Sequence, residues 1–434
     1  MTDHSLPLRI AVVGAGPAGL TFVSVLHRKV KEHSQLKEGS HVPWEITLYE
    51  AERSPDARRV GGTLDLGRKT GLRALEAAGL FNRFHDFARP EGQEVRLTSH
   101  HGDMVFHYAG DATPDDDYYS PEIDRADLNL LLVESLPPGM IQWNHKLSAV
   151  HAKGSAYELE FDNGETVEAD VVVGADGAWS RVRPLVTDQK PTYPDADATF
   201  LDIKVRKFDA RYPELVETVG KGTLYSFGGG NMLVAQRNRR DVVHVYLGVK
   251  APPDWRQHEL LVDLKNASDR ERVSILAKAF FGDWGEPLRS FAMVAAENVD
   301  DESNDDDEST LIAWPLYSMP VGVHWPSRRG VTLIGDSAHL MSPCAGEGVN
   351  TAMVDAMELA EALAHAIDTP PSSCRETVMA AIEAYEREMF KRVETPARRS
   401  ADNLAAFFTT PEMNMEHAAQ MFGPLCSTMP PGSA

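Results

Sequence analysis

LRIAVVGAGPAGLTFVSVLHRKV, residues 8–30, decides the fold. The run LRIAVV is short, apolar and rich in β-branched residues, and it stops at a glycine. From Pro17 onward the period changes: Leu20, Val23, Leu26 and Val30 fall near one face of a helix. The next strand candidate is WEITLYE, residues 44–50, after a polar insertion at 31–43. Strand, helix and strand together form the unit of a parallel nucleotide-binding sheet.

The turn between the first strand and the helix is GAGPAG: Gly14, Ala15, Gly16, Pro17, Ala18 and Gly19. In this spacing the first glycine allows the tight turn and the second lets the backbone approach a pyrophosphate. The third lets helix and strand pack closely, while the helix N-terminus offers unpaired N–H groups. Glu50 closes the second strand, 31 positions after Gly19 (50 − 19 = 31). The spacing exceeds the usual ~20, and the polar insertion absorbs the difference. A carboxylate there accepts hydrogen bonds from ribose hydroxyls. An incidental glutamate after a structural glycine turn is the rival reading, and the strand–turn–helix context disfavours it.

Working outward, 67–84 and 124–136 read as helices, the second with Asp124 as its N-cap. Residues 146–169 read as a meander around a D-N-G turn, followed by a buried strand and the loop ADGAWSRVR. Between 190 and 295 the pattern becomes short strands (TFLDIKVR, TLYSF, NMLVAQR, VVHVYLGV) with a helix near VSILAKAFF, an antiparallel sheet. GGGN at 228–231 reads as a turn. The chain then returns to its first domain through TLIAWPL and VTLIGD and a helix at 350–367. A last helix spans 375–408 and is expected to break at Pro396.

The expected architecture is α/β: a Rossmann-like domain with an inserted antiparallel-sheet substrate domain and a C-terminal helix. Its boundaries are 1–190 and 296–372 for the first domain, 191–295 for the insert and 373–434 for the helical segment.

Composition narrows the function. The chain has 434 residues, 42% of them hydrophobic, and a net charge of −22. That charge repels nucleic acid and anionic membranes. No apolar run reaches the roughly 20 residues of a membrane span, and the N-terminus lacks a signal-peptide pattern. A cytoplasmic protein, a monomer, is expected. Cys344, Cys374 and Cys426 are too few and too scattered for a disulfide framework or a zinc site. The acidic runs at 114–119 and 300–308 read as solvated loops.

The second informative stretch is VTLIGDSAHLMSPCAGEGVN, residues 331–350. It puts Asp336 at the mouth of a buried strand and Gly346 and Gly348 just before a helix. The first residues of that helix, Val349 and Asn350, present N–H groups to partial negative charge. There is no second dinucleotide fingerprint. A long ligand touching both chain ends fits FAD better than a nicotinamide cofactor alone.

Three motifs therefore occur in order: GAGPAG, VVVGADGAWSRVR (171–183) and LIGDSAHLMSPCAGEGVNTAMVDA (333–356). Together they resemble the FAD-dependent aromatic hydroxylases of the para-hydroxybenzoate hydroxylase type. RRVGGTLDLGRKTGLRALEAAGL (58–80) and EIDRADLNLLL (122–132) are most similar to the tetracycline-inactivating monooxygenases among them.

The resemblance implies that the glycine loop cradles the pyrophosphate and Glu50 holds the adenosine ribose. Gly62, Asp65 and Arg125 reach the flavin and its ribityl or phosphate region, and Asp336 takes the ribityl hydroxyls. Asp176 supports FAD and transient NADPH, and Arg58 contacts NADPH. Pro343, Gly346, Gly348, Val349 and Asn350 line the ring. It also implies a monooxygenase that uses O2 through a flavin C4a-hydroperoxide, so no triad or metal centre is required and none is seen. The rival readings are a turn residue for Asp65, a surface ion pair for Arg125 and a helix cap for Asp176.

Departures from the family concern the substrate. Ala51 follows Glu50 where an arginine is common, Cys344 stands where a phenylalanine is frequent, and Phe227 replaces a histidine. Asp202 replaces a glutamine. Tetracycline is therefore not carried over. A different aromatic or polycyclic compound of secondary metabolism is expected, with Asp202, Phe227, Met232, Tyr317 and Cys344, and beside them Phe200 and Trp314, as pocket candidates. Aromatic residues on strands are core residues more often than ligand contacts. Two other function classes compete: an FAD-dependent oxidase, dehydrogenase or reductase without oxygen insertion, and a non-enzymatic flavin-binding regulator.

Overall fold

The structure is a computed structural model that describes residues 7–36, 44–55, 61–264, 266–299, 310–369 and 371–409. Arg58, Cys426 and the acidic run at 300–308 lie outside the described residues.

The first motif builds the centre of a five-stranded parallel sheet. Strand β1 (Leu8–Val13) lies between β2 (Trp44–Tyr49) and β11 (Val171–Gly174). The outer strands are β7 (Ile141–Gln142) and β17 (Val331–Leu333), giving the order β17-β11-β1-β2-β7. All three sequence motifs thus leave the same end of one sheet, from β1, β11 and β17. Helix α1 (Pro17–Leu36) packs on α10 (Gly348–Ala364). The two helices that begin at the Gly-rich loops therefore support each other.

The second layer is a seven-stranded mixed sheet: β4 (Val95–Ser99), β5 (Met104–Tyr108), β12 (Ala198–Arg206), β13 (Thr223–Gly228), β14 (Asn231–Asn238), β15 (Val242–Lys250) and β16 (Leu311–Pro315). Its order is β16-β12-β15-β14-β13-β4-β5, antiparallel except where β13 meets β4. Side-chain alternation divides its faces. Leu201, Ile203, Leu233, Val245 and Leu247 join the core beneath α7 (Asp269–Phe281) and α8 (Leu288–Glu297). Phe200, Phe227, Met232 and Val234 join the core shared with the parallel sheet. GGGN is the expected turn between β13 and β14. Gly229 and Gly230 both have positive φ, +58° and +75°, as a two-residue hairpin of this hand requires.

A two-stranded ladder, β3 (Thr63–Asp65) with β6 (Glu122–Asp124), spans the space between the layers. The meander is β8 (Leu147–Lys153), β9 (Ala156–Phe161) and β10 (Thr166–Ala169). Short helices α5 (Phe208–Arg211) and α6 (Pro213–Val219) follow β12.

Three local expectations are corrected. The helix expected over 67–84 is two, α2 (Gly71–Ala78) and α3 (Phe81–Phe84), because Gly79 turns left-handed at φ +75°. Asp124 does not cap α4 (Arg125–Val133); its carboxylate accepts instead from the Arg239 N–H at 3.3 Å. The last helix, α11 (Pro371–Thr409), runs unbroken through Pro396. Proline removes one helical hydrogen bond there, and burial of Val393 before it and Leu404, Phe407 and Phe408 after it holds both halves in line.

Candidate functional site

At the glycine loop the chain needs glycine for two different reasons. A Cβ on Gly14, already at φ +103°, would lie 2.4 Å from the Ala175 carbonyl oxygen, and one on Gly19 would lie 2.0 Å from the Gly14 oxygen. Those two positions are closed by the protein itself. A Cβ on Gly16 would meet nothing within 4 Å, and the same holds at Gly346 and Gly348. All three glycines border open space; Gly346, at φ +65°, is also asked for by the backbone turn, whereas at Gly16 and Gly348 only a ligand has use for a bare backbone.

Glu50 at the end of β2 turns back to this loop. One carboxylate oxygen accepts from the Ala15 N–H at 2.5 Å and the other from the Glu52 N–H at 2.9 Å. Each oxygen retains acceptor capacity for ribose hydroxyls.

The second and third motifs are bound to one another. Asp176 accepts from Ser337 Oγ at 3.1 Å and from the Arg181 N–H at 2.7 Å, so it closes its own turn as well as joining the loops. Arg183, almost fully buried, donates to four carbonyls: Ser337 at 2.7 Å, Ala178 at 2.8 Å, Asp336 at 3.0 Å and Gly177 at 3.3 Å. Its role in joining the two motifs was not legible in WSRVR, since Ser337 and Asp336 lie some 150 residues away.

Asp336 opens the short helix α9 (Asp336–His339). Its side chain is exposed although protein surrounds it, as in a residue lining a deep cleft. Desolvation by those walls raises its pKa, partly opposed by the charges of His339, Arg125 and Arg183. Behind it, His339 bonds Asp355 at 2.5 Å, and Asp355 also takes the Gly335 N–H at 2.8 Å and Arg392 at 2.6 Å. His339 is thus a buried structural group.

The Asn350 side chain has a structural role. Its Oδ1 accepts from Thr70 Oγ1 at 2.8 Å and from the N–H groups of Gly67 and Gly71 at 3.0 Å, and its Nδ2 donates to the Asp65 carbonyl at 2.7 Å. The amide holds the β3–α2 corner, and its side chain is committed to the fold. Asp65 itself is a half-buried carboxyl pushed up to about 6 by burial, with Arg89 opposing. Paired with it in the ladder, Glu122 is buried against Arg89 and raised well above the usual carboxylate range by burial and by Asp65. Arg125 follows at the start of α4 and lies close enough to Gly61 that a Cβ there would touch its Nε at 2.9 Å. A Cβ on Gly62 would lie 2.3 Å from both Gln236 Oε1 and the Tyr246 hydroxyl.

Of the pocket candidates, Phe200, Asp202, Phe227, Met232 and Trp314 share the sheet face turned to the parallel-sheet half. Phe227 is buried and packs on Phe407 of α11, 4.3 Å between ring centroids. Tyr317 lies past β16, edge-on to Trp179 of the second motif at 5.0 Å. Cys344 is buried, and burial pushes its thiol up to about 12, leaving it neutral. Tyr225, Gln236, His244 and Tyr246 lie on the same face and were missed. Counting by two from Phe227 along β13 finds the first of them.

The residues present fit FAD at both ends. An open glycine loop with Glu50 suits the adenosine diphosphate half. Asp336 in its cleft and the open Gly346–Gly348 backbone at the start of α10 suit the ribityl–flavin half. Among the described residues no cluster of His, Cys, Asp or Glu suits a metal ion, and no helix is long and apolar enough to cross a membrane.

Comparison with known proteins agrees. The chain is 29% identical to the monooxygenase penA of Penicillium thymicola, over 91% of this chain and 94% of that one. It is 28% identical to 3-amino-4-hydroxybenzoate 2-monooxygenase PtnB3 of Streptomyces platensis, over 91% and 87%. The structure of Klebsiella pneumoniae HpxO complexed with FAD and uric acid superposes with a TM-score of 0.68, covering 97% of this chain and 93% of that one at 16% identity, a likeness of fold. A family model described as FAD binding domain matches residues 8–275 and 317–394, and the chain belongs to that FAD-binding family.

Proposed function

We propose that this FAD-dependent monooxygenase inserts one oxygen atom from O2 into an aromatic or polycyclic small molecule, with NADPH as transient electron donor. The observation that carries the reading is the convergence of three motif loops at one sheet end, facing a sheet whose near side carries Phe200, Phe227, Tyr225, Tyr246 and Trp314. Bound flavin supplies the electron transfer and the oxygen activation; the chain supplies placement.

The loop from Gly14 to Gly19 would hold the pyrophosphate, Glu50 the ribose and Asp336 the ribityl hydroxyls. The free N–H groups at the start of α10 favour negative charge beside the ring. Phe227, Met232, Phe407 and Phe408 are buried and exclude water from that side. Cys344, neutral and small, acts by leaving room where a larger side chain would project. Aromatic ligands suit this wall, and the relative named for 3-amino-4-hydroxybenzoate acts on an electron-rich ring. A cytoplasmic location suits two unpaired buried thiols, Cys344 and Cys374.

The test is a screen of phenols and indoles for stimulated NADPH oxidation by the yellow holoprotein, with product mass spectrometry. A product heavier by one oxygen is expected. Stimulated oxidation of NADPH with only desaturated or unchanged substrate would point to an oxidase or reductase instead.

A further inference from the structure

Asp202 is 2% exposed, on β12 next to the edge strand of the substrate-facing sheet, and both its oxygens are used. One meets His244 Nδ1 at 2.7 Å across to β15, and the other accepts from Trp314 Nε1 at 3.3 Å across to the edge strand β16. His244 is itself buried, whereas the Trp314 ring is 37% exposed. We infer that Trp314 is a stacking wall for a planar aromatic substrate, and that Asp202 and His244 are positioning residues that hold its indole in one plane. This rests on the substrate class proposed above and names the residues that select it.

Three observations support it. A buried carboxylate in a sheet costs several kcal/mol to desolvate, and an apolar residue would pack there without that cost. Here the carboxylate is compensated by one buried imidazole and one half-exposed indole, so the arrangement fixes the indole. Next, the chain that leaves Trp314 runs on to the cofactor loops. Trp314 is paired in register with Phe200, and a few residues on the Met319 N–H donates to the Leu340 carbonyl at 2.8 Å in the third motif. Tyr317 between them abuts Trp179 of the second motif. Finally, an exposed indole on an edge strand ordinarily samples several rotamers. One whose N–H is anchored is preorganised, which is what face-to-face recognition of a flat ring needs.

The probes are 2-naphthol and its saturated counterpart trans-2-decalol, which share a hydroxyl and a two-ring skeleton but differ in planarity. Binding to the oxidised, FAD-loaded protein is measured by calorimetry without NADPH. Wild type should favour naphthol by roughly three- to tenfold, the worth of one aromatic stack. Trp314→Leu should abolish the preference and Trp314→Phe should keep part of it. His244→Gln and Asp202→Asn should reduce the preference while leaving FAD content unchanged, which a merely structural role would not do.

An undiminished preference in Trp314→Leu overturns the wall, as does a wild type that shows no preference or binds neither probe. Full preference in folded His244→Gln overturns the positioning role. A protein that selects naphthol through Trp314 yet inserts no oxygen defeats the monooxygenase reading and leaves this one standing.

Discussion

The Arg183 guanidinium donates through Nε to the Ser337 carbonyl at 2.7 Å, joining two loops 154 residues apart in sequence. With its bonds to Gly177, Ala178 and Asp336 it fixes the carbonyls of both cofactor motifs at once. Arg183→Met keeps the length of the side chain and strands four carbonyls. A loss of about 3 kcal/mol in urea unfolding is expected, with FAD lost on gel filtration. Wild-type stability in that variant would show the loops are held otherwise.

The glycine loop separates ligand from fold. Gly16→Val projects into open space, so the apoprotein should melt within a few degrees of wild type and fail to bind FAD. Gly19→Ala drives its methyl into the Gly14 carbonyl and should destabilise the apoprotein itself. Equal loss of stability in both variants would contradict this division.

Asn350 provides a cap that α2 lacks locally, since Thr70 makes no side-chain cap bond there. Asn350→Ala leaves the Gly67 and Gly71 N–H groups and the Asp65 carbonyl without their partner. A cost of about 2 to 4 kcal/mol is expected, together with weaker FAD binding. Hydrogen exchange should quicken at residues 67–71, and unchanged exchange there would contradict the assignment.

Stability should fall with rising pH through several groups, Asp65 and His339 among them. Burial pushes Asp65 up to about 6, so the folded protein holds this proton more tightly than the unfolded chain and stability is lost from about pH 4 to 6. Burial opposes charge on His339, but the Asp355 carboxylate outweighs it and raises the pKa. That contribution is complete below the unfolded value of about 6.5 and is lost as pH rises through the folded one. Asp355, depressed by His339 and Arg392 against its burial, contributes above about pH 4 and loses that contribution in acid. Urea midpoints of the apoprotein should show His339→Gln flattening the slope above about pH 6.5. A slope unchanged from wild type would remove His339 as its source.

Local periodicity carried the parallel sheet. The run 8–13, the glycine spacing and Glu50 are close in sequence and are read by short-range rules. The roles of Asn350, Arg183 and Asp202 were not legible in the same way, because each depends on at least one partner 100 to 300 residues distant or on a neighbouring strand. Asn350 sits in a stretch that marks the ring, yet its amide serves the corner at Gly67 and Gly71. Pro396 misled for a related reason: local propensity marks a break, and burial along α11 overrides it. On the substrate face, Phe227 and Met232 were visible as strand residues, but only cross-strand register brings His244 and Trp314 to Asp202.

The most direct test of the account is turnover of the FAD-loaded protein with NADPH and an accepted aromatic substrate under isotopically labelled dioxygen. One labelled oxygen atom per product molecule is predicted, coupled to NADPH consumed. Product formed without label, or a protein that takes up no FAD, would contradict it.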